Sequence, residues 1–195
     1  MKKTNILYIT DNIIYYKKDS IIKYPINKGI VINSKIGNIK KFNKVLGDLL
    51  TNNNLNNTLF GNKIKVIINN TWTKADMEII KNVLINYNYR RIEFEYDHKY
   101  YHLNNQNAYL NVLDDYILLT IINDYHKIKT ILINNDIFDN IVDKMDYISK
   151  MIGNKELFIL GYGEDLITIF NSFEEKYKNN TYLFSNNESY LLDNT

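Results

Sequence analysis

The run Ile64-Lys65-Val66-Ile67-Ile68-Asn69-Asn70-Thr71-Trp72-Thr73-Lys74-Ala75-Asp76-Met77, with Ile80, Leu84 and Tyr87 beyond it and Arg91-Ile92-Glu93-Phe94-Glu95-Tyr96 after that, decides the fold. Residues 64–68, apolar except for Lys65, form a run of strand length, which is read as a buried parallel strand. Thr73 with Asp76 three residues later has the form of a helix N-terminal cap. Met77, Ile80, Leu84 and Tyr87 then recur at helical spacing, so a helix leads from this strand to a second strand over 91–96.

Upstream, residues 6–9, 13–16 and 21–26 are short β-like runs separated by Thr10-Asp11-Asn12 and Lys18-Asp19-Ser20, which predicts a meander. After Lys28-Gly29 comes an extended piece, 30–32. Asn38 then caps a helix through Ile39, Phe42, Val45, Leu46, Leu49 and Leu50. Downstream the order repeats: strands at 109–112, 116–122 and 128–133, a helix over 137–152, a strand at 157–160, a helix over 164–177 and a final strand at 181–184. Each half reads βββαβαβ. Three antiparallel strands extended by helix-linked parallel strands give an α/β fold of two tandem ribonuclease-H-like lobes, each with a mixed sheet, over 1–105 and 106–195. Two such lobes are suited to grip a ligand in the cleft between them.

At 195 residues, one domain or two small lobes are allowed. The 32 Asn and 31 Ile against 2 Ala and 2 Arg reflect A/T-rich codons, so the Asn tract at 52–57 is read as a loop. Without Cys, disulfides, thiolate zinc and a cysteine nucleophile are excluded. His98 and His102 are four apart, but no convincing helix carries a Glu between them, so the zinc-protease pattern fails. No apolar run nears the ~18 residues of a membrane span, so no integral membrane segment is expected and the cytoplasm is the expected compartment. The net charge of +2 conceals a division. Residues 1–105 carry 17 Lys and Arg against 8 Asp and Glu, net +9, whereas 106–195 carry 7 against 14, net −7. Opposite halves favour a protein partner or head-to-tail, charge-complementary self-assembly. Nucleic acid is not expected: the Lys are dispersed, and Arg, the bidentate phosphate binder, is nearly absent.

Several stretches carry a family resemblance. Lys28-Gly29-Ile30-Val31-Ile32-Asn33-Ser34-Lys35-Ile36 resembles the stretch before a helix in the bacterial actins, MreB and FtsA among them. Residues 65–76 resemble that family's "VVICVPSGITEVE", and the following helix and strand align through Arg90-Arg91-Ile92-Glu93-Phe94. Leu157-Phe158-Ile159-Leu160-Gly161-Tyr162-Gly163 is similar to its adenosine motif. The resemblance implies a shortened, strongly divergent member of the actin, Hsp70 and sugar-kinase superfamily. It also implies where nucleotide contacts would fall: Gly161 and Gly163 on the adenosine side, and Asp11, Asn111 and Asp114 in the two phosphate hairpins.

Those hairpins depart from the pattern. Backbone N–H groups approach a phosphate where no Cβ intrudes, which is why the family places glycine there. Neither Leu7-Tyr8-Ile9-Thr10-Asp11-Asn12-Ile13 nor Leu110-Asn111-Val112-Leu113-Asp114-Asp115-Tyr116 contains one, and the second carries two carboxylates that repel a triphosphate unless Mg²⁺ intervenes. Asp11, Asp114 and Asp115 are read as turn residues rather than a two-metal cluster, since that chemistry needs an Asp inside the first strand, and no metal site is expected. Trp72 is read as a staple on the helix that follows it. The expected function is a non-catalytic bacterial actin-like scaffold for the cytoskeleton, cell shape or division, with no cofactor. The alternatives are an active ATPase or kinase of the same superfamily using Mg-ATP, and a nucleic-acid-binding module built on the Lys-rich first half.

Overall fold

A computed structural model describes residues 5–53, 62–101, 103–113, 115–124, 126–161, 165–176 and 181–184. The chain forms two compact units, Met1–Asp97 and His98–Thr195. The division falls ahead of the sign change in charge near Asn105, because the sheet of the first unit is complete once its last strand ends.

In the first unit, β1 (Asn5–Ile9), β2 (Ile13–Lys17) and β3 (Ile21–Pro25) form the expected meander. A miniature hairpin, β4 (Val31–Ile32) and β5 (Lys35–Ile36), precedes helix α1 (Ile39–Asn52). Strand β6 (Asn62–Ile68), helix α2 (Lys74–Asn86) and strand β7 (Tyr89–Tyr96) complete it. The sheet order is β3-β2-β1-β6-β7, with β1, β6 and β7 parallel. The second unit repeats this with β8 (Asn107–Val112), β9 (Tyr116–Ile122), β10 (Ile128–Asn134), α3 (Ile141–Ile152), β11 (Glu156–Gly161), α4 (Leu166–Lys176) and β12 (Thr181–Phe184). Its order, β10-β9-β8-β11-β12, is the same path through a mixed five-stranded sheet, as the doubled sequence pattern predicts.

Each unit has its own core. Leu7, Ile9, Ile14 and Tyr16 meet Phe42, Leu46, Leu49 and Leu50 of α1 and Ile80, Val83 and Leu84 of α2. In the second, Ala108, Leu110, Val112, Ile117 and Leu119 meet Met145, Ile148 and Ile152 of α3 and Ile169 and Phe173 of α4. Trp72, just ahead of the Thr73 cap, is buried in the first core, against which Met77 of α2 also packs. Across the helix-covered face of the first sheet, the buried Tyr16 and Tyr89 hydroxyls meet at 3.2 Å. Burial pushes both phenols above their ordinary range.

Three expectations are corrected. The extended piece at 30–32 is one arm of a hairpin, turned by Asn33 and Ser34 at positive φ of 51° and 57°. The helix expected from 137 begins at Ile141, where the Asn140 side chain accepts from Asp143 N and caps it, while Asn135–Ile137 is a single 3-10 turn. Ile39, placed among the apolar residues of its helix, is exposed on the first turn of α1. Glu164 and the end of the expected 164–177 helix fall outside the described residues.

Candidate functional site

In a sheet of this topology the loops at the carboxyl ends of the parallel strands converge, and that is where such folds place ligands. In the first unit this end is closed by polar contacts. Thr10 shapes the turn after β1: its N–H donates to Ile13 O at 3.0 Å and its hydroxyl accepts from Ile13 N at 3.1 Å. Asp11 is thereby turned inward and buried. Its carboxylate accepts from Asn33 N at 2.6 Å and from Ser34 N at 3.0 Å. Successive N–H groups in a turn of positive φ form an anion-binding nest. The anion in this nest is the chain's own Asp11.

Two further contacts hold the β4–β5 hairpin. Asn69, just past β6, donates from Nδ2 to Ser34 Oγ at 2.8 Å, and its Oδ1 accepts from Thr71 N at 2.9 Å. Asp76 in the first turn of α2 accepts from Ile36 N at 3.0 Å through one oxygen and from Thr73 N at 3.0 Å through the other. The predicted cap of α2 is therefore present as a full capping box, and its carboxylate also fastens the hairpin.

The second unit closes the same end with apolar groups and one buried cation. The turn after β8 is shut by Leu113 N donating to Tyr116 O at 3.0 Å, and Leu113, Tyr116 and Leu118 form a buried cluster on which Leu132 packs. Lys144 is buried on α3, donates to Asn135 Oδ1 at 3.1 Å and lies 3.5 Å from Asp165 Oδ2. Asn111 is buried on β8 opposite Leu118 and Leu160, and its Oδ1 has no hydrogen-bond partner among the described residues. Gly161 ends β11 beside Val112 at φ 131°. A Cβ there would overlap the Val112 carbonyl oxygen, so glycine is required by strand contact alone. Asp114 and Gly163 lie outside the described residues.

Of the residues singled out from sequence, Asn111 and Gly161 are thus brought onto adjacent strands of the second unit, and Asp11 belongs to the first. Sequence reading placed Asp11 in a turn but missed its partners. The Asn33-Ser34 pair, a combination that tolerates a turn of positive φ, was the available signal. Lys144 was missed as well, although a Lys between Ile141 and Met145 on an inward helix face marks a buried cation. Among the described residues, no group of three His, Asp or Glu side chains is placed to hold a metal ion. No helix among them is long and apolar enough to cross a membrane.

No protein-family model and no curated protein sequence matches the chain. Solved structures do match in fold. MreB5 of Spiroplasma citri bound to ADP superposes with a TM-score of 0.68 at 10% identity, covering 100% of this chain and 95% of that one. A Bacteroides thetaiotaomicron protein with an actin-like ATPase fold gives 0.65 at 10% identity, covering 99% and 95%. An AlfA filament bound to AMPPNP gives 0.61 at 9%, covering 96% and 91%. The chain has the actin-like ATPase fold, built from two mixed α/β lobes.

Proposed function

We propose that the protein is a non-catalytic actin-fold scaffold that acts in the cytoplasm, in a bacterial cytoskeletal, cell-shape or division assembly, through contacts with other proteins and with its own copies. The observation that carries this reading is the Asp11 carboxylate seated in the Asn33–Ser34 nest. A phosphate entering there has to displace a bonded, buried carboxylate and then tolerate its charge. The turn after β8, flanked by the buried Leu113 and Tyr116 and carrying two carboxylates in its sequence, contains no glycine, and Gly161 is accounted for by Val112 without appeal to adenosine. A further support is that a protein of the same fold, AlfA, forms a filament. The test is thermal melting with and without Mg-ATP. No shift at millimolar nucleotide is expected, whereas a ligand at 100 times its dissociation constant stabilises by about 2.7 kcal/mol. A shift of that size, or phosphate release above background, overturns the reading in favour of an active ATPase.

A further inference from the structure

Among the exposed apolar side chains of the described residues, one pair in each unit lies beside a group of like charges. In the first, Ile32 on β4 is 50% exposed and Ile39 on α1 is 51% exposed. The Ile32 side chain lies across Gly37, between the hairpin and the helix start. Residues 20–47 carry six Lys and neither Asp nor Glu. Lys35 is the cross-strand neighbour of Ile32, and Lys40 and Lys41 follow Ile39. In the second unit, Ile137 is 66% exposed in the 3-10 turn and Val142 is 52% exposed on α3. Phe138 and Tyr147 brace this region with ring centroids 5.5 Å apart. Residues 130–149 carry four Asp and one Lys. That Lys is Lys144, buried and held by Asn135 and Asp165, so the charges nearest Ile137 and Val142 in the chain, Asp136, Asp139 and Asp143, are acidic, and the exposed Lys129 and Lys150 lie farther off at either side.

Exposed Ile and Val side chains gain by leaving water together, and a polar rim selects the partner. Like charges oppose either patch pairing with itself, whereas the basic rim of one matches the acidic rim of the other. Both patches belong to one chain, so the occupant with the right chemistry for each is a second copy, joined by a heterologous contact. We propose that the Ile32–Ile39 surface of one molecule docks onto the Ile137–Val142 surface of the next. This names the self-contact within the scaffold reading and rests on it.

Two double variants test it by sedimentation of the full chain: Ile32→Ser with Ile39→Ser, and Ile137→Ser with Val142→Ser. The native chain should form species larger than dimers, and ~0.5 M salt should weaken them, since exposed charges are screened within a few ångströms there. Each double variant alone should assemble at least tenfold more weakly. A 1:1 mixture should give dimers and nothing larger, because one variant keeps one good surface and its mate keeps the other. Lys35→Glu, which leaves the apolar groups in place, should also weaken assembly and keeps the test open if a double variant fails to fold. Native assembly that none of these variants perturbs overturns the assigned surfaces and leaves the scaffold reading standing. A chain that stays monomeric at high concentration sinks the docking and self-assembly together. Sensitivity to one double variant alone means a patch that pairs with itself, which contradicts the proposal. Loss of binding to phosphatidylglycerol vesicles by the Ile32/Ile39 variant, with assembly unchanged, assigns that surface to lipid and also contradicts it.

Discussion

The two units share one strand order and close the same end of their sheets by opposite means. The first inserts a hairpin and fastens it with Asp11, Asn69 and Asp76. The second inserts a single 3-10 turn and fills the corresponding end with Leu113, Tyr116 and a buried Lys144. Strand topology is thus kept by the apolar alternation of the sheets, while the loop end is free to be polar or apolar so long as most of its buried polar groups are paired, Asn111 Oδ1 being an exception among the described residues. A phosphate-binding end is a third solution to the same problem, and it needs backbone N–H groups left open.

This contrast breaks first at Gly161. The first unit ends β6 on the buried Ile68, where the second ends β11 on a glycine. Gly161→Val should destabilise the second unit by about 3 kcal/mol or more, through overlap with Val112 and a φ that L residues avoid, read as the loss of midpoint in urea unfolding. A tolerated valine would mean that β8 and β11 separate easily. Asp11→Ala comes next. It strips the carboxylate from two backbone donors and should cost about 3 kcal/mol, whereas Asp115→Ala in the corresponding turn of the second unit, at an exposed side chain, should cost clearly less. Equal costs would erase the distinction between polar and apolar closure. Asp76→Ala removes the carboxylate half of the capping box of α2, leaving the Thr73 cap itself, together with the acceptor of Ile36 N, and should cost about 1 to 2 kcal/mol in the same measurement.

The smallest effect belongs to His98, where the second unit begins. Burial first, and Lys99 second, hold its pKa below the usual 6.5. The folded chain therefore resists a proton that the unfolded chain accepts. The His98 contribution to stability should be constant above about pH 6.5 and fall as pH drops below it. His98→Gln should flatten that acidic slope, and an unchanged slope would assign it to other groups.

Much of this architecture was legible because apolar periodicity reports burial directly. The 64–68 run, broken only by Lys65, the inward faces of α1 and α2 and the Thr73 cap all follow from local rules, and the repeated pattern showed the same order of elements in both halves. The hairpin was hidden because two-residue strands show no alternation and their turn is stabilised by a side chain 22 residues earlier in the sequence. The start of α3 was misplaced because Ile137 and Phe138 continue an apolar spacing that the Asn140 cap interrupts. At the candidate site, sequence located Asp11 and Gly161 but not what they touch. Gly161 is fixed by the carbonyl of a residue 49 positions away in the chain, a contact that only folding creates.

The Tyr16–Tyr89 contact has a consequence for alkaline conditions. Burial makes both phenols hold their protons more tightly in the folded chain than the ordinary value of about 10 for an exposed tyrosine, so unfolding is favoured as pH rises past that value. Two of the 17 tyrosines should then ionise only as fast as the first core opens. A stopped-flow jump to high pH, followed by phenolate absorbance, would use them as a native clock for the opening of that unit.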